Sequence, residues 1–368
     1  MNTHDLHHPS WLPPHCPNPK CHFHNEMHEG WPYKRMGYYQ RKVEPHRIRR
    51  FRCNHCGVTF SSQTFATTYW LKRPDILPKL LTKAVACMAN RQIAEDLKVS
   101  STCIDLQLNH LGRHCLLWHA EMVRDRKPPK NLVVDGFESF ELSQYHPFHF
   151  HLAVDKDTSF FHWFTDSELR RKGRMTPEQR MKREEKDLRL GRPDPQAVRK
   201  DMAELLRVVT AGATEIAIYS DAHKAYPVAM RGLPVKILHI VTSSKDHRDY
   251  NNHMFEINLL DLLIRHCSGN HKRETIGYSK RRQAAAMRLM IFLVWRNYLR
   301  FRRVRKCTET PAMMVGLCHH RLTPEEVMAR RIFVGKVGLV GRWREYYWGE
   351  VGTRGLKVNR RHDLKLAV

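Results

Sequence analysis

Two short apolar runs of the kind that build buried strands each end in an aspartate, and this repetition constrains the fold more than any other feature of the chain. They are Leu132-Val133-Val134-Asp135 and Ile216-Ala217-Ile218-Tyr219-Ser220-Asp221. Unbroken apolar runs rich in β-branched residues suit strands covered on both faces, which need neighbours in a common sheet. Further strand-like runs cover Phe148 to Val154, Ser159 to Thr165 and Val235 to Val241, with Asp155-Lys156-Asp157-Thr158 suited to a hairpin turn. Helical patterns cover roughly His253 to His266 and Lys280 to Arg305. The expectation is a mixed α+β protein in which two acids can meet.

A third acid stands at Glu256, 35 positions after Asp221, where it opens the apolar helical run from Met254 to Ile264. A carboxylate is poorly tolerated on a buried helix unless it is paired or metal-bound. In an RNase H-like α/β domain the first and fourth strands are neighbours, so an aspartate on each meets the other. A carboxylate from a following helix then completes a site for two divalent metals on one phosphodiester. Asp135, Asp221 and Glu256 are the candidate set. Glu138 and Glu141 compete, but Glu138 would point to the opposite strand face, and Asp155 and Asp157 fit the turn. Asp261 lies about 140° round the helix from Glu256, so the two cannot easily share one site. Glu274, in the polar segment His271-Lys272-Arg273-Glu274-Thr275, is the serious rival for the third place.

The 368 residues carry 63 Lys and Arg against 37 Asp and Glu, a net charge of +26. Basic residues recur in blocks at Arg47–Arg52, Arg170–Arg174 and Arg300–Lys306. A surplus of this size points to a polyanion, whose condensed counterions are released on binding. The N-terminus is polar and rich in His and Pro, unlike a signal peptide. The longest apolar stretch, Met287–Trp295, is interrupted by Arg288 and is too short for a bilayer span of about 20 residues. These features predict a soluble cytoplasmic protein with no membrane partner.

Four of the ten cysteines are in metal-ligand spacing: Cys16 and Cys21 with four residues between them, Cys53 and Cys56 with two. Two close pairs can give one zinc four thiolates, and a site with no open position is structural. Phe51-Arg52-Cys53-Asn54-His55-Cys56-Gly57-Val58-Thr59-Phe60 has the form of a zinc-ribbon knuckle, although His15, His22 and His24 compete as ligands. Arg47, Arg49, Arg50 and Arg52 adjoin it, which suits phosphate contact. Asn90 to Leu106 fits two short helices joined by a turn near Val99, a helix-turn-helix pattern in which Ser100 or Ser101 caps the second helix and Thr102, Asp105 and Gln107 face a groove.

The expected organisation is multidomain: a zinc ribbon over 1–65, a helix-turn-helix module over 66–127, an RNase H-like catalytic domain over 128–305 with a charged insert at about 168–206, and an unassigned basic region over 306–368. In that order the parts resemble bacterial insertion-sequence transposases of the DDE type, those with an N-terminal zinc ribbon and helix-turn-helix. The matching pieces are Phe51 to Phe60, Arg91 to Leu106, Val133-Val134-Asp135-Gly136, Tyr219 to Pro227, Asn252 to Glu256 and His271 to Lys280. The resemblance implies two-metal DNA cleavage at transposon ends and strand transfer into target DNA, with magnesium or manganese on Asp135, Asp221 and Glu256. It also implies assembly into a homodimer or larger complex, and places for His223 and Tyr226 beside the metal-binding carboxylates, supporting them rather than touching the metal. Many relatives carry a second acid where Gly136 stands, and the helix after Glu256 offers Arg265 as its nearest cation rather than a lysine. Two other functions fit the same parts: a non-catalytic, domesticated DNA-binding regulator, and an RNase H-like nuclease that cuts without joining.

Overall fold

A computed structural model describes residues 6, 8, 10–25, 30–272, 275–305 and 307–359. Near the N-terminus a short helix, α1 (His22–Asn25), precedes three antiparallel strands: β1 (Tyr33–Gln40), β2 (Arg47–Cys53) and β3 (Thr59–Ser61), in the order β1-β2-β3. On β2 the buried Ile48, Phe51 and Cys53 interleave with the exposed Arg47, Arg50 and Arg52. Phe51 and Phe60 stack with ring centroids 5.5 Å apart. Trp11, Phe65 and, from far along the chain, Phe333 complete this small core.

Three helices follow: α2 (Leu77–Ala84), α3 (Asn90–Asp96) and α4 (Ser101–Met122). The Ser100 hydroxyl caps α4 by accepting from the Cys103 amide at 3.1 Å, the N-terminal signal its sequence predicts. Only the first turns of α4 are open to solvent, because every residue from His110 to Ala120 is buried. Gly112 makes this possible. A Cβ there would lie 2.7 Å from the Met287 Cβ and 2.9 Å from its backbone oxygen, so only glycine lets the two helices cross this closely.

The second sheet begins with three antiparallel strands, β4 (Asn131–Phe140), β5 (Pro147–Asp155) and β6 (Phe161–Glu168). The turn at Asp155 is held by its carboxylate, which accepts from the Asp157 and Thr158 amides, both at 2.9 Å. Helix α5 (Pro177–Leu190), capped by Thr176, buries none of its side chains, as its charged sequence requires. Helix α6 (Ala197–Val209) returns to the sheet, followed by β7 (Glu215–Ser220), α7 (Ala225–Met230) and β8 (Lys236–Val241). The five strands run in the order β6-β5-β4-β7-β8, with β7 parallel to β4 and β8 parallel to β7.

Helix α8 (Phe255–Cys267) packs on β4 and β5, and α9 (Arg282–Val294) on α4. The helix expected to run to Arg305 widens into a π turn over Trp295–Leu299. There Asn297 donates to the Phe161 carbonyl at 2.7 Å and accepts from its amide at 2.9 Å, occupying the backbone groups at the β6 edge. The C-terminal region holds α10 (Pro311–Met314), α11 (Pro324–Val327) and α12 (Gly341–Trp348). Trp343 of α12 stacks on Trp163 at 3.3 Å and donates to the Phe164 carbonyl at 2.8 Å. Leu80, Leu111, Val133, Phe150, Leu293 and Trp343 belong to one continuous core, so the helices before residue 127 and the sheet after it are packed together. No helix among the described residues is long and apolar enough to cross a membrane.

Candidate functional site

Strand register decides where the two aspartates lie. Asn131 pairs with Ala217, Leu132 with Ile218 and Val133 with Tyr219 across the parallel β4–β7 ladder. The ladder ends there; Asp135 follows two residues further along β4, and Asp221 two residues after Tyr219, just past the end of β7. Asp135 accepts from the Gly136 amide at 2.7 Å, and Asp221 accepts from the His223 amide at 3.0 Å. Burial pushes the Asp135 carboxyl up to about 6; the Asp221 carboxylate pushes the same way, against the Gly136 amide. His149 and Arg248 also act on Asp135 electrostatically. A Cβ at Gly136 would come within 2.9 Å of the His149 Nδ1, so the absence of a second acid here goes with an imidazole in its place.

Glu256 is elsewhere. Its carboxylate accepts from the Ser159 hydroxyl and pairs with Arg302 at 3.1 Å, while Arg302 also donates to Ser159 at 2.9 Å. Ser159 follows the β5–β6 turn, and Lys156 in that turn donates to the Asn131 carbonyl at 3.0 Å, at the beginning of β4. Asp135 is four residues further along β4, about 13 Å at ~3.3 Å per residue. Helix α8 runs in the same direction as β4. Near its far end Arg265 donates to the Glu138 carbonyl at 3.1 Å and covers the Phe137 ring at 4.2 Å.

Asp261, midway along α8, acts electrostatically on Tyr226, as the two aspartates do. The buried Tyr226 hydroxyl is raised well above its ordinary range by burial and then by Asp135, Asp221 and Asp261. The angle separating Glu256 from Asp261 was legible in the sequence; the Ser159 and Arg302 partners of Glu256 were not. Glu274 lies outside the described residues. On either side of it, His271 and Tyr278 rest on Phe137 and Phe140, with ring centroids 5.8 and 4.7 Å apart.

Among the described residues, one group of three or more metal-ligand side chains has all its donor atoms within 4.8 Å: Cys16, Cys21, Cys53 and Cys56. The carboxylates are not drawn that close together. The Cys16 and Cys56 sulfurs are 3.6 Å apart, and those of Cys21 and Cys53 4.0 Å. Zinc–sulfur bonds of about 2.3 Å at tetrahedral angles require sulfurs about 3.8 Å apart, so the four thiols can bind a structural metal such as zinc. Burial raises the Cys53 thiol, but the Cys56 amide, the Trp31 indole N–H at 3.3 Å and the His55 amide together bring it down to about 7. Two of the competing imidazoles are engaged otherwise, since His15 and His24 donate to the Cys16 carbonyl at 3.0 and 2.8 Å.

No protein-family model and no curated protein matches the sequence. Among solved structures, the chain is similar to one in the cryo-EM structure of the simian T-cell lymphotropic virus intasome in complex with PP2A regulatory subunit B56 gamma. Identity is 15% over 52% of this chain and 55% of that chain, with a TM-score of 0.24. The chain thus spans about half the length of that neighbour. A likeness this distant carries no weight for fold or activity.

Proposed function

We propose that the chain is a DDE-type transposase, with an RNase H-like catalytic domain that cuts DNA at transposon ends and transfers the strand into target DNA. The observation that carries this reading is that Asp135 on the central strand β4 and Asp221 directly after the adjacent parallel strand β7 each lie two residues beyond the last pair of the β4–β7 ladder. The strand order supports it, because the first and fourth strands of this sheet, β4 and β7, are neighbours. The charge of +26 supports a DNA partner.

Asp135 and Asp221 fit a divalent cation, magnesium or manganese, since two confined carboxylates gain from a cation between them. Such cations supply a low-pKa water and neutralise charge on the phosphodiester. The protein's own groups bind the cation, hold the aspartates in register and limit access of bulk water. The third carboxylate is to be found among Glu256, Asp261 and Glu274; Glu256 in that role would have to leave Ser159 and Arg302. Two copies of the chain would hold two DNA ends.

The test is cleavage and strand transfer with magnesium on a plasmid carrying the gene and its flanking DNA. Asp135→Asn and Asp221→Asn are expected to abolish both reactions while duplex binding persists. Parallel assays of Glu256→Gln, Asp261→Asn and Glu274→Gln identify the third ligand. Undiminished cleavage by Asp135→Asn would refute the proposal.

A further inference from the structure

We infer that the antiparallel ribbon β1–β2, rather than the first turns of α4, is the element that enters a groove of duplex DNA. The inference rests on the proposed function only in taking duplex DNA as the partner. The α3–α4 pair is poorly suited to a phosphate backbone. The exposed residues opening α4 are Ser101, Thr102, Asp105 and Leu106, an acid and no cation. On α3 the exposed Arg91 is opposed by Glu95 and by Asp96, and the latter already pairs with Lys83 at 2.7 Å.

The ribbon has the opposite character. Every residue of β1 from Lys34 to Gln40 is exposed, and its outer edge pairs with no strand among the described residues. From Tyr33 to Ser61 the sole acid is Glu44 at the hairpin tip, beside His46 at 3.2 Å. Among the described residues, Arg35, Arg47, Arg50 and Arg52 have no ion-pair partner. Strand alternation sets Arg47 and Arg49 on one face of β2 and Arg50 and Arg52 on the other. A ribbon cationic on both faces suits the space between the two phosphate rows flanking a groove; contact through one face would leave half the charge unused. A two-stranded ribbon also fits the major groove, which is about 12 Å wide.

Tyr38 adds a pre-ordered reading group. Arg47 lies over its ring at 4.0 Å, and Arg49 donates to its hydroxyl at 3.0 Å. Guanidinium groups held this way sit at a fixed height on the exposed face, which lowers the ordering cost of contacting base edges. We assign Arg47, Arg49 and Tyr38 to the groove, and Arg50 and Arg52 to phosphates.

The experiment is fluorescence anisotropy of the full-length, zinc-loaded chain with a random-sequence duplex of about 40 base pairs, over roughly 50 to 200 mM salt. Arg50→Ala with Arg52→Ala is expected to weaken binding at least tenfold and to flatten the log K against log salt slope by about 1.8, two phosphates at ~0.9 each. Arg50→Lys with Arg52→Lys should keep the slope, and retained zinc in every variant checks that the ribbon is folded. Thr102→Ala with Leu106→Ala should bind within about twofold of wild type. Ribbon variants that bind as wild type, or a wild type that prefers duplex RNA, would overturn the inference. If the ribbon variants lose binding but wild type never cleaves DNA, the ribbon stands and the transposase reading falls. If wild type cleaves and the α4 variant alone loses binding, the ribbon inference falls by itself.

Discussion

Replacing Asp135 by asparagine is expected to stabilise the magnesium-free protein while removing its chemistry. The folded carboxyl titrates near 6 against an ordinary value of 3.8, chiefly because it is buried and secondly because Asp221 is beside it. The rise from 3.8 to about 6 corresponds to roughly 3 kcal/mol against the ionised form. The sign follows from proton binding. Between pH ~4 and ~6 the unfolded chain has released this proton and the folded chain has kept it, so stability falls as pH rises. Above about 6 the loss is complete. Asparagine carries no charge, and its Oδ1 can still accept from the Gly136 amide. At pH ~7.5 in magnesium-free buffer the variant should therefore melt roughly 3–6 °C above wild type, and at pH ~4 the two should coincide. Magnesium should raise the melting temperature of wild type and leave the variant unmoved. A differential scanning fluorimetry series over pH, with and without magnesium, reads all of this. If the variant melts at or below wild type at pH ~7.5, or if both curves run parallel across pH, the two carboxylates are not confined as described.

Three further outcomes follow from packing and ligation. Cys53→Ser should reduce zinc content from about one per chain to near zero by elemental analysis, with loss of amide protection in β1 to β3, because metal binding supplies part of the folding free energy of such a unit. Gly112→Ala should cost about 1–3 kcal/mol in chemical denaturation, since its new methyl meets Met287 backbone rather than a flexible side-chain tip. Trp343→Ala should cost about 3–5 kcal/mol, as it removes a fully buried ring stacked on Trp163 together with the donor to the Phe164 carbonyl.

The features legible in the sequence were those with a local physical signature. Val133, Val134, Ile216 and Ile218 announce buried strands because unbroken apolar runs have few other uses, and two cysteine pairs announce a tetrahedral cluster through their spacing. The remainder depended on partners distant in sequence. Helix α4 looks amphipathic, with Arg113, His114 and His119 among its leucines, yet all three are buried. His114 donates to the Val327 carbonyl and His119 to that of His162, both at 2.9 Å, so their polarity is spent inside the protein. Helix α12 is eight residues long, too short for periodicity to reveal that Trp343 and Tyr346 face the sheet. Tyr346 donates to Asp166, an acid at the far edge strand that nothing local marks as buried.

The polar segment Arg124–Lys130, whose two prolines give it the composition of a linker, is tied down on both sides. Arg126 pairs with Asp155 at 3.6 Å, and the Lys130 carbonyl accepts from the Ala217 amide at 2.9 Å. Between the N-terminal three-stranded unit and the helices the bonding is just as direct. Thr67 donates to the Met328 carbonyl at 2.8 Å, His110 to the Thr67 carbonyl at 2.8 Å, and the Arg331 amide to the Phe65 carbonyl at 2.9 Å. Breaking such contacts to swing the ribbon would leave buried polar groups without partners, at about 1–3 kcal/mol each. The ribbon and the Asp135–Asp221 pair are therefore held at a set spacing by α4 and the 327–333 segment. On the proposed reading, a duplex engaged by Arg47 and Arg49 would meet the carboxylates at a distance fixed by the fold.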